Sequence, residues 1–176
     1  MTKKEMSEIF AALLLAYPNA EVFKGGIQKL GPTIDLWTAS LPDVEYWIGK
    51  LAVIRLVREN RFPPTIAEFR EKSETVKAEI SAEAEDAWGE LRVKMKLLGL
   101  PPAEAVAHEL TPEVVRRAVE FMGGPQALVK TYPDGGTAYA YTEFIDAFHR
   151  AARQQAYSNA GTVAVRPPKL PEGRYR

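Results

Sequence analysis

Apolar residues recur at steps of three and four along most of this 176-residue chain. That spacing is the period of an amphipathic α-helix, so it predicts an all-α fold of about seven helices. The first predicted helix covers residues 3–17, and further helices are expected to begin near residues 32, 43, 65, 81, 111 and 142. No apolar run approaches the roughly 20 residues needed to span a bilayer. A cytoplasmic protein without a membrane partner is therefore expected.

The predicted helix starts carry side chains that accept hydrogen bonds from the unpaired N–H groups of a first turn. The strongest of these signals is Thr65, because two prolines precede it and Glu68 stands three residues later. That spacing predicts a capping box, in which each residue accepts from the backbone of the other. Weaker capping candidates are Asp43, Ser81, Thr111 and Thr142.

The capped segments group into two small helical units and a tail. Residues 1–78 form the first predicted unit, and residues 81–158 form the second. Residues 159–176 hold three prolines and two glycines, and they are predicted to be an extended or flexible basic tail. Alternating charges over residues 71–79 favour a continuous helical bridge between the units over a flexible linker. Residues 131–140 contain Asp-Gly-Gly, whose turn chemistry allows a small hairpin.

The large aromatic residues are predicted to form the core. All three tryptophans fall on apolar helix stripes, where packing is expected rather than stacking on nucleic-acid bases. Three phenylalanines of the second unit occupy similar positions. The predicted core aromatics are Trp37, Trp47, Trp88, Phe121, Phe144 and Phe148.

Composition removes most catalytic chemistry from consideration. Cysteine is absent, which excludes disulfides, thiolate metal sites and cysteine nucleophiles. The two histidines, His108 and His149, stand on separate segments, and His149 is expected to pair with Asp146 on one helix face. No catalytic residue, cofactor site or metal site is predicted.

Charge is unevenly distributed although the net charge is zero. A neutral total disfavours general binding to nucleic-acid phosphates. Residues 81–158 carry a net −3, however, and residues 159–176 carry a net +3. We therefore take the basic side chains of the tail and one arginine pair as candidate partner-binding residues: Arg166, Lys169, Arg174, Arg176, Arg116 and Arg117.

The order of motifs in the first unit resembles a known family. An apolar helix ends in AYP at residues 16–18, WTASLPD follows at 37–43, and RFPPTIAEFRE closes the segment at 61–71. Over about residues 1–75 this order is similar to the phage replicative helicase loader/inhibitor family. The resemblance implies an all-helical N-terminal domain that binds a hexameric replicative helicase. It also implies that the ATPase is held inactive and that the helicase is delivered to an initiator protein at the origin.

The second half departs from that family pattern. In the family a less ordered C-terminal region contributes to the helicase contact, whereas residues 81–158 here carry capped amphipathic helices. The helicase contact is therefore open between the second unit, the basic tail, or both. Two alternatives also remain open, namely a DNA-binding module that organises phage replication and a phage assembly scaffold.

Overall fold

The structure is a computed structural model that describes residues 1–129 and 137–162. Those residues form helices and turns, with no strand among them, which confirms the all-α prediction. Short 3-10 turns lie at Glu21–Phe23, Ile27–Leu30 and Pro125–Val129. The α-helices are α1 (Lys3–Ala16), α2 (Gly31–Ser40), α3 (Tyr46–Glu59), α4 (Ile66–Lys96), α5 (Pro102–Ala107), α6 (Glu113–Phe121) and α7 (Thr137–Thr162).

Helix α4 runs without a break through both predicted units. The bridge expected over residues 71–79 is therefore helical, but Ser81 does not begin a new helix as predicted. The reason is that no proline or glycine interrupts the chain between Thr65 and Gly89, so nothing stops the first helix. The buried stripe also stays in phase across this position, at Val76, Ile80, Ala84, Trp88 and Leu91. The division into units 1–78, 81–158 and 159–176 stays a prediction.

The capping box at Thr65 is confirmed. The Glu68 backbone N–H donates to Thr65 Oγ1 at 3.3 Å, and the Thr65 N–H donates to Glu68 Oε2 at 2.7 Å. The same box stands at the first helix, between Thr2 and Glu5.

Three other predicted caps are wrong. Helix α3 begins at Tyr46 rather than at Asp43, whose carboxylate binds Arg70 instead. Thr111 is buried, and its hydroxyl bridges two elements by accepting from Lys94 Nζ at 2.9 Å and donating to the Ala105 carbonyl at 3.1 Å. Helix α7 begins at Thr137, ahead of Thr142.

Helix α7 also extends further than predicted at its other end. It continues to Thr162, whereas the apolar stripe ends near Tyr157. Of the segment expected to turn or form a hairpin, residues 137–140 are helical. Residues 130–136 and most of the predicted tail lie outside the described residues.

A chain of aromatic rings holds the first unit together. Trp37 packs edge-on against Phe10 with ring centroids 5.1 Å apart, and against Phe69 at 5.5 Å. These three rings come from α2, α1 and α4, so the contact fixes three helices at one point. Edge-to-face pairs of this kind add about 0.5–1.5 kcal/mol beyond the burial of their surface.

The second unit is built around Trp88 and Phe144. Their ring centroids lie 5.3 Å apart, and Phe148 continues the cluster at 6.1 Å from Phe144. Phe121 is not part of this core, contrary to expectation, because its side chain is 43% exposed at the end of α6. There the Arg150 guanidinium lies 5.7 Å from the centre of its ring.

Truncation of Trp47 tests the burial of α3. Because Trp47 is 3% exposed, Trp47→Ala is expected to lower the free energy of unfolding by about 3–5 kcal/mol. Phe62→Ala is the matched control, since this ring is 70% exposed and its loss should change stability little. Urea unfolding of both variants measures the difference, and equal effects would show that the core assignment of α3 is wrong.

Removal of the Thr65 cap tests how α4 begins. Thr65→Ala is expected to cost about 1 kcal/mol of unfolding free energy, because the first turn loses its side-chain acceptor. Thr75→Ala serves as control, since this exposed hydroxyl only bonds the carbonyl of Glu71 within the same helix. The urea midpoints of the two variants are compared with that of the wild type. An unchanged midpoint in Thr65→Ala would argue against the capping box.

Candidate functional site

The C-terminal end of α7 packs on the first unit. The Tyr157 ring lies 6.4 Å from the ring of Tyr46, the residue that begins α3. The ammonium of Lys50 stands 5.4 Å from the Tyr46 centroid and 5.7 Å from the Tyr157 centroid, so one cation contacts both rings. Arg153 approaches the Tyr157 ring at 5.9 Å. We call these four residues the tyrosine clasp.

The tyrosine clasp is anchored to α1 as well. The Tyr46 hydroxyl donates to the Glu8 carboxylate. Burial raises the pKa of Tyr46, and the Glu8 carboxylate raises it further. The clasp therefore joins α1, α3 and α7.

A cleft of about 210 Å³ lies beside the clasp. This volume is below the about 300–1,000 Å³ typical of small-molecule sites. Its lining carries charges of both signs and the first residue of the chain: Met1, Glu5, Pro42, Asp43, Val44, Glu45, Tyr46, Trp47, Arg153 and Tyr157.

The carboxylates of this cleft are held by specific donors. Asp43 accepts from two nitrogens of Arg70 at 2.8 and 3.2 Å, and this contact holds the pKa of Asp43 below its usual range. The Thr2 backbone N–H lowers the pKa of Glu5 in the same way. Glu45 accepts from the Trp47 indole at 2.9 Å. The cleft is therefore a polar surface with most of its charges already oriented.

The predicted arginine pair lies elsewhere, on α6. Arg117 Nε donates to Glu113 Oε1 at 3.1 Å, and Arg116 lies 3.7 Å from the other oxygen of that carboxylate. A second nitrogen of Arg116 donates to the His108 carbonyl at 3.4 Å. Both guanidinium groups are thus oriented by one glutamate, which leaves less of their charge for phosphate. Arg166, Lys169, Arg174 and Arg176 lie outside the described residues.

Both histidines form hydrogen-bond contacts within the fold. His149 Nε2 lies 3.4 Å from the Ser81 hydroxyl on α4, so the expected pairing with Asp146 is replaced by a contact between helices. His108 Nδ1 accepts from the Leu110 backbone N–H at 3.3 Å. In residues 1–129 and 137–162 there is no cluster of three or more potential metal-ligating side chains. No helix of the described chain is long and apolar enough to cross a membrane.

Sequence reasoning missed the tyrosine clasp. Its two pairs, Tyr46 with Lys50 and Arg153 with Tyr157, lie about one hundred positions apart in the sequence, and no local pattern indicates a contact over that distance. The available signal was weaker: Tyr46 with Lys50, and Arg153 with Tyr157, each stand at i and i+4 and therefore share a helix face.

The first unit matches the model of a known protein family. Residues 1–70 match the family model for the N-terminal domain of a phage helicase loader/inhibitor. The match confirms the resemblance expected over about residues 1–75. We call residues 1–70 the loader-like segment. No curated protein and no solved structure matches the chain.

The loader-like segment includes the start of α4 and the contact that joins α4 to the helices before it. It ends at Arg70, in the second turn of α4, and Arg70 binds Asp43 and the Ser40 carbonyl. The segment therefore contains α1, α2, α3 and the interaction that ties α4 to them. The remaining 26 residues of α4, from Glu71 to Lys96, carry the helix beyond the matched segment.

The Asp43–Arg70 pair predicts a pH dependence of stability. Because the pKa of Asp43 is lowered in the folded state, its stabilisation is complete above the ordinary aspartate pKa of about 3.9 and is lost as the pH falls through the lowered value. In Asp43→Asn this acid-side loss should disappear, so the difference in thermal midpoint from the wild type should shrink between pH 7 and acid pH.

Glu71→Gln removes an exposed carboxylate from the position after Arg70 in α4 and is the control. Its midpoint should follow the wild type at every pH. An Asp43→Asn difference that stays constant with pH would contradict the assignment.

Proposed function

We propose that this protein binds a hexameric replicative helicase, restrains its ATPase and helps to load it at a phage origin in the bacterial host cell. The observation that carries the proposal is the match of residues 1–70 to the N-terminal domain of a phage helicase loader/inhibitor. An origin-binding initiator is the expected second partner.

The fold supports this role because it offers rigid surfaces for a protein partner. The first unit is fixed by the contacts of Trp37 with Phe10 and Phe69, and the continuous helix α4 leaves it without a hinge. A surface that is already ordered loses little conformational entropy when a partner binds.

The basic tail is proposed as one helicase contact. The predicted tail, residues 159–176, carries a net charge of +3. Its basic side chains would raise the association rate with an acidic helicase surface and place the tail against it. The candidate residues are Arg166, Lys169, Arg174 and Arg176.

The alternative of a DNA-binding module has less support. It rested on the arginine pair of α6 and on the tail, and both Arg116 and Arg117 are oriented by Glu113. The neutral net charge argues in the same direction.

The test is the ATPase rate of the cognate helicase with increasing amounts of the full chain. We expect the rate to fall to a plateau at saturating protein, together with co-purification of the two proteins. No binding and no change in ATPase rate would overturn the proposal.

A deletion of residues 163–176, the part of the predicted tail that follows α7 in the sequence, separates the tail contact from the function as a whole. The deletion should leave the thermal midpoint nearly unchanged while weakening helicase binding at least tenfold. Lys77→Glu, which reverses the charge of an exposed basic residue outside both the tail and residues 1–70, is the charge control and should bind normally. If the deletion binds as tightly as the full chain, the tail is not the contact, although the helicase role stands.

A further inference from the structure

Helix α4 presents one face to solvent between residues 82 and 97. Its opposite side is buried against the rest of the second unit through Ala84, Trp88 and Leu91. The outward positions recur at steps of three and four, as one helix face requires. They are exposed and include apolar residues: Ala82, Asp86, Gly89, Val93 and Leu97.

Gly89 is unexplained by the packing of its own chain. It stands in the interior of a long α-helix, where glycine is less favourable than every residue except proline. A Cβ at this position would meet no described atom within 4 Å, so no close packing inside the chain demands a glycine. Because glycine has no Cβ, this position allows another backbone to approach the helix closely.

The exposed apolar residues extend from Gly89 toward the end of the helix. Val93 is 48% exposed and Leu97 is 78% exposed, and they follow Gly89 at i+4 and i+8. Leu98 and Leu110 are 62% and 73% exposed at the same end, where the Lys94–Thr111 hydrogen bond holds the loop before α6 against α4. An apolar surface of this kind on a folded protein commonly marks a protein interface.

Size and charge both change along this face. The half before Gly89 is small and acidic, with Ala82, Glu85 and Asp86, whereas the half after it is large and mainly basic, with Arg92, Val93, Lys96 and Leu97 beside a single acid, Glu90. A helix that packs antiparallel with the same gradient would place large residues over small ones and basic residues beside acidic ones. Helix α4 of another molecule has this gradient.

We propose that the outward face of α4 pairs antiparallel with the same face of a second copy of this chain, with the two helices crossing at Gly89. In that register Leu97 of one copy packs over Ala82 of the other. Glu85 and Arg92 are seven residues apart and therefore share one flank of the helix, where the Glu85 carboxylate also accepts from the Tyr141 hydroxyl of α7 at 3.3 Å. A two-fold axis brings Arg92 of each copy beside Glu85 of the other.

The proposed contact is short. The face spans about 24 Å of helix, from the rise of about 1.5 Å per residue. Such a contact lies at the small end of specific interfaces, so we expect a dissociation constant on the order of micromolar. The pairing is a property of the chain alone and does not depend on the proposed helicase contact.

Sedimentation equilibrium of the full chain tests the pairing. The weight-average mass should rise from 19.6 kDa toward twice that value as the concentration passes through the micromolar range. A mass that stays at 19.6 kDa up to hundreds of micromolar would overturn the proposal.

Charge variants then test the register. Arg92→Glu should weaken association at least tenfold, because it places like charges at both symmetric contacts, and Glu85→Arg/Arg92→Glu should restore it. Lys77→Glu makes the same change in charge outside the face and should associate like the wild type. Gly89→Leu fills the crossing point and should also weaken association, while circular dichroism checks that its helix content is kept. Wild-type association of Arg92→Glu, or no recovery in the double variant, would overturn the register.

Discussion

The continuity of helix α4 is the constraint on which the rest of the structure depends. Its first turns bury Phe69 and Val76 in the first unit, and its later turns bury Trp88 and Leu91 in the second. One helix therefore contributes to the packing of both units, and the capping box at Thr65 determines where it begins. Helix α7 returns along α4 and closes on the first unit through the tyrosine clasp.

Local interactions made the fold class predictable. The Thr65–Glu68 box spans three residues, so its signal is complete within a short stretch of sequence. The aromatic cores around Trp37 and Trp88 were likewise visible as positions on apolar stripes. The family resemblance was found for a similar reason, because its motifs are short and ordered along residues 16–71.

The cap and core predictions that were wrong concern side chains whose surroundings are set by residues distant in the sequence. Ser81 has the chemistry of a cap, but a cap acts only where a chain enters a helix, and here the helix was already formed. The side chains of Asp43 and Thr111 instead bind two residues of helix α4, Arg70 and Lys94. Phe121 has the right period for a core position, yet the last turn of α6 leaves it beside solvent. The tyrosine clasp depends on the contact of α7 with α3, which only the folded chain defines.

The proposed role is one of binding a partner. The loader-like segment ends where Arg70 ties α4 to the preceding helices, and the remaining chain adds surfaces beyond that segment. A binding protein can restrain an ATPase only if it prefers one conformational state of that enzyme, since equal affinity for all states shifts nothing.

The most direct measurement is therefore calorimetric titration of the full chain into the cognate helicase hexamer, once with ADP and once with a non-hydrolysable ATP analogue. The account predicts binding in both conditions with affinities that differ at least tenfold. Equal affinity in the two nucleotide states, or no binding in either, would contradict it.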